Sequence, residues 1–221
     1  MSRFFDTLIS RTEEARNRFL GIEAIGRGMA GAISTDTYIA FLTQAYHHVR
    51  HTAPLLMACG SRLTMEQEWL RVAIAEYIEE ETGHQEWILN DIEACGGDAE
   101  QVRHGMPHAN TELMVAYAYD SIYRGNPVSF FGMVLVLEGT SVKLASTAAR
   151  KIQQALALPD AAFSYLTSHG ALDVSHMQFY EKLMNRLDDE ADRQAVIHMA
   201  NMMYALYGDV FDSLPLDTQD C

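Results

Sequence analysis

The sequence has few cysteines and no long uninterrupted apolar segment. Its three cysteines, Cys59, Cys95 and Cys221, are odd in number and widely spaced, and no two of them form a CxxC pair. This pattern argues against a disulfide framework and a zinc knuckle and favours reduced thiols. No segment reaches the roughly 18 consecutive apolar residues of a membrane span, and the charged N-terminal segment lacks the apolar core of a signal peptide. We therefore expect a cytoplasmic protein with no membrane partner.

Basic residues are also scarce. The 221 residues include 16 lysines and arginines against 30 aspartates and glutamates, which gives a formal net charge of −14. Nucleic acids and anionic membranes are bound through basic surfaces, so this balance argues against both as partners. The 48% hydrophobic and 21% charged residues are ordinary for a globular protein. A chain of this length can bury a core without disulfides.

Helix signals recur along the chain, whereas strand signals do not. The five prolines are few, and alanine, leucine and methionine are abundant, which favours helices. Thr64–Gln67 has the pattern of a capping box at the start of a long helix, which Gly96–Gly97 would end. A further helix would begin at Asn110 and end at Gly125. The sequence predicts about seven helices in an all-α bundle, forming a single domain over residues 1–221.

Two acid-x-x-His pairs, Glu81/His84 and Asp173/His176, lie in predicted helices. With 30 acidic residues and nine histidines, about one such pair is expected by chance, so the pairs alone carry little weight. His169 strengthens the second pair. At about 100° per residue, His169, Asp173 and His176 point within roughly 60° of one another on one helix. We predict that they form a polar stripe on a largely apolar helix.

Glu138 is the only charged residue between Arg124 and Lys143. Its predicted helix is apolar on nearly every side and should therefore be buried. An ionised carboxylate there costs several kcal/mol unless it meets a cation, a metal or hydrogen-bond donors. With the pairs and the triplet, Glu138 completes three carboxylates and three imidazoles, a donor set suited to two first-row divalent metals in a bundle core. The alternative is an ion pair of Glu138 with a buried arginine or histidine and a hydrogen-bonded polar core around His169.

The segments IEEETGHQEW, VLEGT and SHGALDVSHMQFYEKL occur in this order. In this order they resemble the heme-oxygenase-like diiron oxidases and oxygenases. That superfamily also includes thiaminase-II-like (TENA/THI-4-like) and pyrroloquinoline-quinone-synthase-like proteins. The resemblance extends over about residues 34–212 and implies a seven-helix heme-oxygenase-like (thiaminase-II-like) bundle. It also implies six metal ligands with catalytic roles: Glu81, His84, Glu138, His169, Asp173 and His176.

The resemblance further implies two irons per chain, with manganese an option in one position. The implied activity is O2-dependent oxidation of a small amphiphilic or amino-acid-like substrate. Recognition of a substrate carboxylate would need a cation, and Arg50 and Lys143 are the basic residues nearest in sequence to the cavity helices. We predict four substrate-binding residues: His47, His51, Tyr77 and Tyr180. The predicted partners are the substrate, O2 and a second copy of the chain in a homodimer.

The alternative function is that of a metal-free thiaminase-II-like protein that binds a small molecule on the same fold. Thiaminase-II-like enzymes use a nucleophilic cysteine on the fifth core helix, and residues 129–156 contain no cysteine. The sequence therefore disfavours that catalytic chemistry but not that fold. Iron storage is a third option, disfavoured because storage bundles normally use a different four-helix arrangement.

Overall fold

The computed structural model describes residues 3–216, and for residues 169–175 it describes the backbone alone. Within this part of the chain there are twelve α-helices and no strand. The helices are α1 (Phe4–Arg11), α2 (Glu13–Leu20), α3 (Glu23–Ala30), α4 (Thr35–Val49), α5 (Thr52–Arg62), α6 (Glu68–Glu81), α7 (His84–Ala94), α8 (Ala99–His104), α9 (Ala109–Arg124), α10 (Phe130–Leu156), α11 (Ser164–Arg186) and α12 (Glu190–Asp212). Short 3₁₀ turns at Met65–Gln67, Pro127–Ser129 and Asp160–Phe163 precede α6, α10 and α11. The predicted all-α bundle is confirmed.

The helices outnumber the seven predicted because some predicted segments are broken into two and because the short helices α3 and α8 were not predicted. The capping box at Thr64 is present, with Thr64 donating its backbone N–H to Gln67 Oε1 at 3.1 Å. The helix that follows stops at Glu81 and restarts at His84. Gly83 joins the two parts with φ at +98°, a left-handed conformation that glycine adopts without a steric penalty. Glu81 and His84 therefore stand on either side of a break, on α6 and α7.

Helix α10 lies in the centre of the bundle and packs against α3, α11 and α12. Residues Pro127–Leu156 are long and apolar enough to cross a membrane by length and composition, but 61% of their most apolar window is buried within the protein. A core helix passes this test equally well. At Gly132, α10 approaches α12 closely, since a β-carbon there would lie 2.6 Å from Ala200 N and in collision with Val196 O.

Asp91 ties α7 to the start of α11. Its carboxylate is fully buried and accepts hydrogen bonds from Ser164 N at 3.0 Å, Ser164 Oγ at 2.5 Å and Tyr165 N at 2.9 Å. These bonds satisfy amides at the N-terminus of α11 that have no partner within the helix. Burial raises the pKa of Asp91, while the bonds from Ser164 and Tyr165 oppose that rise. One carboxylate thus links the helices that carry His84 and His176.

Replacing Asp91 with alanine should lower the free energy of unfolding by about 2 kcal/mol, the upper range for loss of a helix cap. For a chain of this size the melting temperature should fall by roughly 4–8 °C. Asp98→Ala is the matched control, because Asp98 caps the short α8 through a single bond to Gln101 N. We expect Asp98→Ala to lower the free energy of unfolding by less. Equal melting temperatures for the two variants would contradict the role of Asp91 in joining α7 to α11.

Candidate metal centre

Three helices bring one acidic or imidazole side chain each to the same place. Glu81 ends α6, Glu138 lies within α10 and His176 lies within α11. One ligand atom from each falls within 4.8 Å of the others. The side chains are only 10%, 12% and 6% exposed, respectively. Three of the six predicted ligands are therefore neighbours in the fold.

His84 lies beside this group through Glu81. Its Nδ1 is 3.0 Å from Glu81 Oε2, and since a carboxylate can only accept, the ring donates this hydrogen bond. The imidazole is buried and stacks on Trp87, with ring centroids 4.1 Å apart. The break at Gly83 places His84 at the first position of α7, next to the last residue of α6. A fourth predicted ligand is thus one hydrogen bond from the group.

The other two predicted ligands, His169 and Asp173, lie outside the residues whose side chains the structure describes. The backbone of α11 runs as one helix from Ser164 to Arg186. The triplet therefore lies on a single helix, as predicted. Of its members, His176 alone has a described side chain.

The carboxylates and the imidazole in the group influence one another's charge. The neighbouring carboxylates raise the pKa of His176 to about 9, chiefly through the Glu138 side chain, whereas burial lowers it. In the protein without metal, His176 therefore carries a proton near neutral pH. That proton offsets one carboxylate, and Glu81 and Glu138 are two nearly buried acids within 4.8 Å of each other. Like charges at this distance repel, and a bound metal ion would offset that repulsion.

The ion pair that the sequence left open is therefore present, but it does not account for the whole group. Glu138 Oε1 lies 3.6 Å from His176 Nδ1, which is the predicted contact with a buried histidine. Glu81 belongs to the same group and contacts His84, so the pair of Glu138 and His176 describes only part of it. Carboxylate oxygens and imidazole nitrogens are donors that iron and manganese accept. The donor set fits a metal centre.

A largely apolar cavity of about 170 Å³ adjoins the group, and both Glu81 and Glu138 line it. Apolar side chains from α3, α4, α5, α10 and α12 form most of its wall. Besides the two carboxylates, the polar groups in the wall are hydroxyls and one imidazole. They belong to Thr37, Tyr38, His48, Thr52, Tyr77, Thr140, Ser141, Tyr165 and Tyr207. The cavity is thus suited to a molecule with an apolar body that reaches the metal centre.

No positive side chain faces this cavity. All 16 lysines and arginines lie in the described part of the chain, and none of them lines it. Arg50 and Lys143, the basic residues nearest in sequence to the cavity helices, are both exposed, and Arg50 lies over the ring of Tyr46. A substrate carboxylate would therefore find no arginine or lysine in the cavity wall.

The structure places one of the four predicted substrate-binding residues, Tyr77, in the cavity wall. Its hydroxyl is buried and has no hydrogen-bond partner among the described residues. Its ring lies 5.8 Å from that of His176, and burial together with the charge of Glu138 raises its pKa. The hydroxyl is thus placed to donate to a bound molecule near the metal centre.

His47, His51 and Tyr180 lie outside the described wall of the cavity. His48 lines it instead of its two histidine neighbours, while His51 Nδ1 lies 3.2 Å from Tyr119 Oη. Tyr180 is fully buried and donates its hydroxyl to the carbonyl oxygen of Phe131 at 2.7 Å. Substrate binding by His47, His51 and Tyr180 stays a prediction, and His48 is the histidine that lines the cavity among the described residues.

Two acidic residues that connect helices of the site have no signal in the sequence. Neither Asp91 nor Glu80 is among the residues that the sequence singles out. In the structure Glu80 Oε2 lies 2.8 Å from His176 Nε2. No local signal marks either residue, because each contacts a helix that is distant in sequence.

The sequence profile of a family described as iron-containing redox enzymes matches residues 39–208 of this chain. This range contains all six predicted ligands. Comparison with curated proteins gives no significant match.

Solved structures with the same fold include three kinds of protein. A domain of unknown function with a heme oxygenase-like fold from Shewanella denitrificans OS217 is 21% identical, with a TM-score of 0.86 over 95% of this chain and 91% of that chain. A TenA homologue from Pseudomonas syringae pv. tomato is 11% identical, with a TM-score of 0.80 and coverage of 96% and 91%. Heme oxygenase-1 from Synechocystis, in complex with heme, is 12% identical, with a TM-score of 0.75 and coverage of 96% and 92%. These similarities establish a heme oxygenase-like fold.

Proposed function

Because this chain belongs to the iron-containing redox enzyme family, we propose that it is a nonheme diiron oxidase or oxygenase acting on a small molecule with a largely apolar body. The observation that carries the proposal is the grouping of Glu81, Glu138 and His176 at the wall of the apolar cavity. The family description supports iron, and the donor set supports metal binding. The number of metals and the use of O2 are proposals.

Glu81, Glu138 and His176 would hold the metals together with His84. His169 and Asp173, whose side chains are not described, would complete the set of three carboxylates and three imidazoles. Bound iron would supply the redox chemistry with O2. Metal binding at His176 would replace the proton that this ring carries near neutral pH, since imidazole binds metal in its neutral form.

The protein's own residues would bind, orient and dehydrate the substrate. The apolar wall favours burial of an apolar body and excludes water from the reacting bond. The hydroxyl of Tyr77 would donate a hydrogen bond to a polar group of the substrate near the metals. Since no arginine or lysine lines the cavity, we expect amphiphiles with a neutral polar group to bind better than amino acids.

The alternative is a metal-free small-molecule-binding protein related to the TenA proteins. The fold shared with a TenA homologue favours it. Neither Cys59 nor Cys95 lines the cavity, so within the described chain no thiol is placed for the cysteine chemistry of thiaminase-II-like enzymes. The two functions differ in one measurable respect, which is metal content.

Anaerobic titration with Fe(II) should saturate near two equivalents per chain. The loaded protein should consume O2 slowly on its own and faster with a substrate, which a panel of neutral, cationic and anionic medium-chain compounds would identify. Glu81→Gln should weaken iron binding strongly, whereas Glu79→Gln, the same change at an exposed position of α6, should not. A folded protein that binds no iron would exclude the diiron proposal and favour the metal-free alternative.

A further inference from the structure

The imidazole of His176 is held between two carboxylates. On its inner side Nδ1 lies 3.6 Å from Glu138 Oε1, within the metal-binding group. On its outer side Nε2 lies 2.8 Å from Glu80 Oε2. The ring itself is 6% exposed, whereas the side chain of Glu80 is 55% exposed. One buried ring thus connects the centre to a carboxylate at the protein surface.

The geometry fixes which ring nitrogen can bind a metal. An ionised carboxylate only accepts hydrogen bonds, so Nε2 carries a hydrogen that it donates to Glu80. Nδ1 is then the nitrogen left to bind a metal, and it is also the nitrogen that faces Glu138. Metal-binding histidines commonly donate their other ring N–H to a carboxylate, which orients the ring and strengthens the metal bond.

We propose that Glu80 is a positioning residue of the metal centre, which holds His176 by its Nε2–H so that Nδ1 faces the metal. The inference rests on the proposed function in that it requires a metal to bind at His176. Glu80 and Glu81 then have different roles although they are adjacent. Glu81 contributes to the metal-binding group from the inside, and Glu80 supports the imidazole of another helix from the outside.

The test compares the metal affinities of three variants, measured in competition with a chelator. Fe(II) is used under anaerobic conditions, and Zn(II) serves as a redox-silent substitute. Glu80→Ala should weaken binding by about 10- to 100-fold, the usual cost of losing such an outer partner. Glu80→Gln should lose less metal affinity, because its amide oxygen still accepts the hydrogen bond from the Nε2–H of His176. Glu79→Ala removes the same charge from an exposed neighbouring position and should stay within about twofold of the wild type.

A second measurement separates positioning from a general effect on stability. In Zn(II)-loaded protein with ¹⁵N-labelled histidine, the Nε2–H signal of His176 should be protected in the wild type and in Glu80→Gln, and lost to exchange in Glu80→Ala. Equal metal affinities of Glu80→Ala and Glu79→Ala would overturn the role of Glu80 while leaving the proposed function intact. A wild-type protein that binds neither metal would overturn both.

Discussion

Glu138→Gln should abolish iron binding while leaving the fold of the metal-free protein intact. Glu138 is the carboxylate of α10 in the candidate metal-binding group, and an amide is a much poorer ligand for iron than the carboxylate it would replace. The loss should exceed the roughly 100-fold that marks the upper range for outer partners. Anaerobic Fe(II) titration of wild type and variant measures the effect, with Glu79→Gln as the charge-matched control at an exposed position of α6.

Melting of the metal-free proteins then distinguishes a metal ligand from one half of an ion pair. If Glu138 served only to pair with His176, its removal would strand a buried charge and cost about 3 kcal/mol or more. The structure argues for a smaller loss, because Glu80 and Glu81 also act on the charge of His176. A large drop in stability with unchanged iron affinity would therefore contradict the assignment of Glu138 as a ligand.

Gly132→Ala should cause the largest loss of stability of any glycine-to-alanine change within α10. A β-carbon there would stand 2.6 Å from Ala200 N and 2.8 Å from Met199 Cβ, so α10 and α12 would have to move apart. We expect a cost of about 3 kcal/mol or more, at the upper end for overpacking. The melting temperature should fall by roughly 6–12 °C, which calorimetry would measure. Iron affinity should fall as well, since α10 carries Glu138.

Gly139→Ala on the same helix is the matched control. Among the side chains that the structure describes, a β-carbon at Gly139 has no neighbour within 4 Å, and the residue lies in a helix interior. Alanine should therefore stabilise the protein by about 0.5–1 kcal/mol, because it loses less conformational freedom on folding. A Gly132→Ala protein as stable as Gly139→Ala would show that the two helices can separate without cost.

The all-α fold could be predicted because it follows from local signals. The spacing of apolar residues indicates the helices, and the capping box at Thr64 and the glycine after Arg124 mark their ends as the structure shows. The break between α6 and α7 could not be predicted, because a single glycine within a helical pattern is usually tolerated. Gly83 interrupts the helix through its left-handed backbone conformation, and the two parts pack on different neighbours, α6 on α5 and α7 on α4 and α11.

A residue of the candidate site could be predicted from the sequence where its charge is unexpected among its neighbours in the chain. Glu138 attracts attention as a lone charge in an apolar helix, and the structure places it with Glu81 and His176. Glu80 and Asp91 give no such signal, because acids are common on helices and the residues that they contact lie on α11. For Asp91 that partner is 73 residues away. Likewise, only the packing of α4 determines that His48 rather than His47 faces the cavity.

The break at Gly83 has a mechanical consequence for the centre. In one continuous helix, Glu81 and His84 would be fixed to the same rigid rod, about 4.5 Å apart along its axis. Here Glu81 belongs to α6, and His84 belongs to α7, which Asp91 fastens to α11 and so to His176. The two imidazoles are therefore linked through Asp91, whereas α6 contacts them from a separate helix, through Glu80 at His176 and Glu81 at His84. A swing of α6 about Gly83 would change the distance between Glu81 and both histidines at once, without disturbing the histidines' own separation.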